Sequence, residues 1–290
     1  MQNKPTAILS ADWHIIKSSR SSSDKPICRK DDYWQKQKFK IKFIAEIADE
    51  HNIPLFFAGD MFDKWDTRVH IMSEIMQLLS DVRIYACSGN HDLPYHNSDL
   101  FDLCALKTIK VMDIHSKNIN KNIEYDINFH NRNIKLLHQM TYIGNPPWPG
   151  CNAHTADVLF KKFKEYDLIV TGDNHKPFVV NKDGRLLVNP GSLMRMSADQ
   201  IDHKPRVYLW YAESNTVEEI FIPIEEGVIS REHIINRENT ERRIESFISS
   251  MSKNKSGSSI SFDENIAHYL HDNRINKKTK QIVMECLNGE

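Results

Sequence analysis

Short apolar runs that each end on a cluster of Asp, His, Asn or Gly constrain this chain more than any other feature. Thr6-Ala7-Ile8-Leu9 leads to Asp12-Trp13-His14, Ile53 to Ala58 leads to Gly59-Asp60 with Asp63, and Val82 to Cys87 leads to Gly89-Asn90-His91-Asp92. Further on, one apolar run closes on His138 and another, Asp167 to Thr171, delivers Gly172-Asp173-Asn174-His175. Brief apolar runs bounded by turn-forming residues read as strands buried on both faces. Between the first two runs, Asp31 to Asn52 spaces Trp34, Ile41, Ile44, Ile47 and Ala48 as a helix does and stops at Asn52-Ile53-Pro54. Thr67 to Leu79 gives a second helix, with Val69, Met72, Ile75, Met76 and Leu79 on one side. The order β-α-β-α-β implies a largely parallel sheet, and ligand sites in such sheets form where strands end and loops begin.

After residue 107 the pattern turns to strands. Thr108 to Ile114, Ile123 to Phe129 and Asn133 to Leu137 read as strands, 155 to 166 as a helix, and Pro177 to Val180 with Arg185 to Val188 as a hairpin across Asn181-Lys182-Asp183-Gly184. Val207 to Tyr211 and Val217 to Ile222 complete a second group of strands. The economical arrangement is an α/β fold of two facing mixed sheets flanked by helices, spanning residues 1–225. Residues 226–290 are polar, charged and helical in pattern, a C-terminal helical tail. There Ile244, Phe247, Ile248 and Met251 form an apolar stripe, Ser252 to Ser259 is a linker, and Ser261-Phe262-Asp263-Glu264 is a capping-box signature.

The formal net charge of −1 announces no nucleic-acid partner, although a phosphate-attracting site can be local. Five cysteines without C-x-x-C spacing argue against a disulfide framework or a thiolate zinc site and for a reducing, cytoplasmic compartment. No signal-like apolar stretch opens the chain and no segment has the length to span a bilayer, so no membrane association is expected.

Carboxylates and imidazoles with one amide suit divalent manganese, magnesium, zinc or iron. Two such ions about 3.5–4 Å apart can activate water and clamp phosphate oxygens. A carboxylate must bridge them, and Asp60, central in the motif order, is the candidate.

With these motifs the sequence resembles the calcineurin-like metallophosphoesterases, whose pattern runs D-x-H, G-D-x-x-D, G-N-H-D/E, H and G-H-x-H. It looks most like the SbcD-type DNA repair nucleases, through Ala11-Asp12-Trp13-His14, Gly59-Asp60-Met61-Phe62-Asp63, Ser88-Gly89-Asn90-His91-Asp92, Leu137-His138-Gln139 and Asn189-Pro190-Gly191-Ser192. The resemblance covers residues 6 to 212. It implies the four-layered sandwich of that superfamily and two divalent ions, expected to be manganese. One ion would be held by Asp12, His14, Asp60 and His175, and the other by Asp60, Asn90, His138 and Asp173. His91 would act as general acid, oriented by Asp63. The family has His where this chain has Asp173, which puts an extra carboxylate at the second ion and alters its metal preference.

Arg195 and Lys176, each close to a motif, are candidate phosphate contacts, and the basic insertion Ile15 to Asp32 reads as a solvated loop or a backbone-contact surface. Trp148 reads as packed within its loop, with base stacking as the alternative. The resemblance implies DNA as substrate and an SbcC-type ABC/SMC-like ATPase as a partner for the C-terminal helices, and it allows a homodimer. Two rival functions stand beside it: a phosphatase or phosphodiesterase acting on a small nucleotide or phosphoprotein, and a catalytically weakened DNA- or ATPase-binding scaffold.

Overall fold

The computed structural model describes residues 4–17, 26, 28–112, 117–253, 262–273 and 275–288. In chain order the elements begin β1 (Ala7–Ser10), α1 (Tyr33–His51), β2 (Leu55–Ala58), α2 (Val69–Leu78), β3 (Ile84–Cys87), α3 (Ala105–Met112), β4 (Lys117–Ile119), β5 (Glu124–Phe129) and β6 (Arg132–Leu137). They continue as β7 (Thr141–Tyr142), β8 (His154–Thr155), α4 (Ala156–Lys162), β9 (Leu168–Thr171), β10 (Phe178–Lys182), β11 (Arg185–Asn189), β12 (Arg206–Tyr211) and β13 (Thr216–Phe221). Three helices close the chain: α5 (Glu232–Lys253), α6 (Phe262–Asp272) and α7 (Lys277–Asn288).

Two mixed sheets carry the fold, in the orders β13-β12-β1-β2-β3-β4 and β10-β11-β9-β6-β5. Within the first, β1 to β4 run parallel; within the second, β6, β9 and β11 do. Successive side chains of a strand point to opposite faces, and each buried strand feeds two cores. From β1, Ala7 and Leu9 face the second sheet while Ile8 packs towards the helices; from β2, Phe56 and Ala58 divide likewise from Leu55 and Phe57. The second sheet meets them with Ile134, Leu136, Leu168, Val170, Leu186 and Val188, and turns Leu137, Ile169 and Leu187 outward onto Leu159 and Phe160 of α4. Ile41 and Ile44 of α1, Ile75 of α2 and Leu106 and Ile109 of α3 cover the far face of the first sheet. The result is the pair of facing mixed sheets flanked by helices expected from the strand pattern, and the four-layered sandwich that the resemblance implies.

Helix α1 starts where Asp32 accepts a hydrogen bond from Gln35 N and ends at Asn52, whose left-handed backbone returns its N–H to the last turn. One expected element differs: Thr108 to Met112 lies in α3 and not in a strand, and residues 113–114 of that expected strand lie outside the described residues. Cys104, Ala105, Leu106 and Ile109 are buried together, and that helical stripe outweighs the β preference of Thr108, Ile109 and Val111.

The chain divides into two compact units, Met1–Ser230 and Arg231–Glu290. In the second unit Phe247 of α5 and Tyr269 of α6 meet edge to face at 4.6 Å, while Ile244 stays half exposed. Ser261 of the expected capping box and most of the expected Ser252 to Ser259 linker lie outside the described residues, as do residues 18–25 of the basic insertion. Among the described residues no helix is long and apolar enough to cross a membrane.

Candidate metal centre

Five parallel strands deliver their C-terminal ends to one place. Asp12 and His14 follow β1, Asp60 follows β2, Asn90 and His91 follow β3, His138 follows β6 and His175 follows β9. Asp12, His14, Asp60 and Asp173 all adopt positive φ, between 44° and 71°, a conformation that non-glycine residues reach only under constraint. Glycines let the loops close on one another. A Cβ on Gly89 would stand 2.0 Å from Asp60 Oδ1, and one on Gly59, itself at φ +86°, would stand 2.5 Å from the His138 ring.

Three groups of donor atoms gather in this space: Asp12 with His14 and His175; His14 with Asp60 and His91; and Asp12 with Asp60 and His138. His14 Nε2 lies 3.2 Å from His175 Nε2 and 3.6 Å from Asp60 Oδ2. On the other side, His138 Nε2 lies 3.3 Å from the same Asp60 Oδ2 and 2.9 Å from Asn90 Oδ1. Asp60 Oδ2 is therefore the atom common to both halves, while its Oδ1 accepts from the His91 backbone N–H at 2.9 Å.

Burial raises the pKa of Asp12 to about 6 even though His138 and His14 pull it down. Asp60 is also buried, but the imidazoles of His138 and His14 outweigh this and hold it at about 2. Burial works against a charge on His138, yet the carboxylates of Asp60 and Asp12 lift it to about 10. His14 is raised against its burial by Asp63, Asp60 and Asp12, whereas burial and His14 drive His175 down to about 4. The site thus holds extra protons where a cation would otherwise neutralise its carboxylates.

These residues fit metal ions on three observations. Asp12 Oδ2 is buried and lacks a hydrogen-bond partner among the described residues, a costly state that a cation relieves. His138 Nδ1 is engaged by the Ala58 carbonyl at 2.8 Å, which turns the Nε2 lone pair towards Asp60 and Asn90. Finally, with metal–nitrogen bonds of about 2.0–2.1 Å, two imidazoles on one ion stand about 3.0–3.4 Å apart. The 3.2 Å between His14 and His175 falls in that interval.

The remaining expected residues sit as follows. The Asp63 backbone carbonyl, at 2.9 Å, accepts from His91 Nδ1 and orients the exposed His91 ring. Its carboxylate instead stands 3.6 Å from His14 Nδ1, longer than a hydrogen bond but close enough to attract a proton there. Asp173 gives its backbone N–H to Asp12 Oδ1 at 3.0 Å, while its exposed side chain belongs to none of the three donor groups. Lys176 is exposed beside the His175 loop, which is held by Asn189 Nδ2 donating to the carbonyls of Asn174 and Lys176. Arg195 is buried and donates to the carbonyls of Ile201 and Glu225, in a cavity that contains none of the clustered residues. In the insertion after the first motif, Lys17 pairs with Glu74 and Arg29 with Asp31.

Asp92, which the sequence reading passed over, is the clamp beneath the site. It is buried and accepts from the backbone N–H groups of Met61, Phe62 and Gly89, tying the loop after β2 to the loop after β3. A carboxylate three residues beyond Gly89 was the available signal, since Asp side chains capture nearby backbone donors. Burial and Asp60 push its carboxyl up to about 6.

An open groove of about 640 Å3 runs from the centre past Asn90, His138 and Asp173 to His96, Met140, Cys151 and Trp148. Trp148 is 52% exposed there, so it is not packed within its loop as expected.

Residues 12–209 match the profile of the calcineurin-like phosphoesterase superfamily domain. The chain belongs to that superfamily. Its members are metal-dependent hydrolases of phosphate esters that typically bind two divalent ions, and the donor groups above supply residues for such a centre in this calcineurin-like phosphoesterase. Among solved structures it is similar to an archaeal phosphodiesterase at 16% identity, over 74% of this chain and 98% of that one, with a TM-score of 0.47. Vps29 of Entamoeba histolytica is similar at 15% identity, over 75% and 99%, with a TM-score of 0.38. A predicted phosphoesterase of Streptococcus pneumoniae is similar at 13% identity, over 72% and 83%, with a TM-score of 0.37. These likenesses are too distant to speak to substrate. No curated protein sequence matches the chain.

Proposed function

We propose that this phosphoesterase hydrolyses phosphodiester bonds in DNA, as an SbcD-type nuclease does. The observation that carries the reading is the open groove leading directly from Asn90 and His138 to the exposed ring of Trp148. A polymer needs an uncovered channel, and an exposed indole beside it offers a face for an unpaired base. Two divalent ions, manganese in this reading, would be held by Asp12, His14, Asp60 and His175 and by Asp60, Asn90, His138 and Asp173, and would supply charge for the phosphate and an activated water.

The chain's own residues then have separate tasks. Asp60, which faces both halves through one oxygen, would join the two ion sites. The Asp63 carbonyl fixes His91 Nδ1–H, which leaves Nε2 as the ring atom available to hand a proton to the leaving oxygen. Asp63's carboxylate and the Ala58 carbonyl face the Nδ1 atoms of His14 and His138, which leaves the Nε2 atoms as those that would hold the ions. Lys176, exposed beside the His175 loop, is the phosphate contact this reading retains.

A second reading is favoured by one feature of the same groove: its described lining residues include no Lys or Arg. A compact nucleotide ester needs no basic flank, whereas a DNA backbone gains affinity from one. The two readings separate on incubating the purified protein with manganese and end-labelled single- and double-stranded DNA, alongside a generic phosphodiester. DNA cleavage that falls about 10²–10⁴-fold in His91→Ala supports the nuclease. Cleavage of the small ester with DNA left intact supports the second reading, and equal rates in variant and parent remove His91 from the mechanism.

For α5–α7 the nuclease reading proposes the coiled-coil root of an ABC-type ATPase as partner, with the exposed Ile244 as part of the contact. An ATPase that bound residues 1–230 as well as the full chain would exclude that role.

A further inference from the structure

A second cavity, of about 240 Å3, shares no lining residue with the metal centre. It is bounded by Arg29, Lys36, Lys40 and Arg195, by Asp31 and Glu225, and by the apolar side chains of Phe39, Pro223 and Ile224. Among the described lining residues the charges do not cancel: four cations face two carboxylates. Asp31 is taken by Arg29 and Glu225 by Lys36. That leaves Lys40 and Arg195, each only 5% exposed, with backbone carbonyls as their hydrogen-bond acceptors.

Lys40 Nζ donates to the Leu193 carbonyl at 2.8 Å, and the two terminal nitrogens of Arg195 donate to the carbonyls of Ile201 and Glu225. Arg195 Nε is buried with no partner among the described residues. Tying loops together accounts for the carbonyl bonds. It does not account for an orphaned guanidinium N–H, nor for an ammonium with three donors and, among the described residues, one acceptor. Burying Lys40 beside Arg195 with no anion is unfavourable, so the pair keeps both charges only where an anion completes it. Burial, with Arg29 and Arg195 adding repulsion, draws Lys40 down to about 7.

We propose that this cavity is a second ligand site that binds the phosphate group of a small phosphomonoester between Lys40 and Arg195, with Phe39 and Ile224 against its apolar part. A phosphate matches it better than a carboxylate because a dianion balances both unpaired charges at once and offers acceptors to Lys40 Nζ and Arg195 Nε together. The proposal is independent of whether the metal centre acts on DNA or on a smaller ester.

The test is calorimetric titration of the full, metal-loaded chain with inorganic phosphate, adenosine 5′-monophosphate and adenosine, in the parent and in Lys40→Met and Lys40→Arg. Phosphate held at the metal centre is common to all three proteins, so the difference between them reports the cavity. The expected result is binding of both phosphates but not of adenosine, weakened at least tenfold or lost at one class of site in Lys40→Met and kept in Lys40→Arg, with metal content unchanged. Tighter binding of the monophosphate than of inorganic phosphate identifies the ester as ligand, and equal binding identifies the free ion; both uphold the site. Thermal unfolding accompanies each titration. A Lys40→Met protein that stays folded and binds phosphate like the parent overturns the proposal, as does adenosine binding as tightly as its monophosphate. Should Lys40→Met not fold, Phe39→Ala serves in its place: the monophosphate is expected to lose affinity and inorganic phosphate to keep it, and no change for either overturns the proposal.

Discussion

Metal binding to this centre should expel protons, and their number follows from the geometry. In the metal-free protein His138 is raised to about 10 despite its burial, because its Nε2 faces the Asp60 carboxylate. A base with a raised pKa keeps its proton until the pH passes that value, so at pH 7 the ring is charged. A metal ion needs the lone pair that this proton occupies. His138 therefore releases about one proton. His14, raised above its ordinary value by Asp63, Asp60 and Asp12 against its burial, adds to that release. Asp12, at about 6, is about one-tenth protonated at pH 7, while His175 at about 4 and Asp60 at about 2 release none. The total lies between about one and two, and each proton strengthens binding by about 1.4 kcal/mol per pH unit. Below pH 6 the slope steepens as Asp12 takes up its proton. Titration of metal-depleted protein with manganese, in buffers of different ionisation enthalpy at pH 7 and 8, counts the protons directly. His138→Gln is expected to lower the count by about one. A binding enthalpy independent of buffer, or an affinity flat between pH 7 and 8, would refute the reasoning.

Two substitutions test the supports around the centre. Asp63→Asn removes the carboxylate facing His14 Nδ1 and is expected to weaken metal binding about 10–100-fold, while leaving the backbone carbonyl that holds His91; an unchanged manganese titration would remove that carboxylate from the account. Asp92→Ala strands the N–H groups of Met61, Phe62 and Gly89, and at about 1–3 kcal/mol for each unsatisfied donor the loss of stability should reach about 3 kcal/mol. Urea unfolding of the metal-free protein measures it, and a loss under 1 kcal/mol would show that the three donors find other acceptors.

Most of the metal centre could be read from residue order because strand ends fix position. A residue within four places of the end of a buried parallel strand has little freedom in where it emerges, and Asp12, Asp60, Asn90, His138 and His175 all occupy such places. Side-chain aim was not legible in the same way. Whether Asp63 turns its carboxylate or its carbonyl to His91 depends on the loop after β2, and the carboxylate went to His14. Arg195 follows a motif closely in sequence, but the chain turns at Gly191, with φ +73°, and the guanidinium ends among Arg29, Lys40 and Glu225. Sequence distance says how far a side chain can reach and nothing about direction. The misreading of α3 has a different origin: Thr108, Ile109 and Val111 have intrinsic β preference, and only the burial of Leu106 and Ile109 against the first sheet decides for helix. Trp148 was unreadable for a third reason, since a loop of Pro and Gly carries no period that assigns its tryptophan to core or solvent.

The central claim is that one carboxylate oxygen serves two cations. Anomalous diffraction from crystals grown with manganese tests it most directly. The account predicts two peaks about 3.5–4 Å apart, one against His14 and His175, the other against Asn90 and His138, with Asp60 touching both. A lone peak, or a pair that Asp60 does not join, would contradict it.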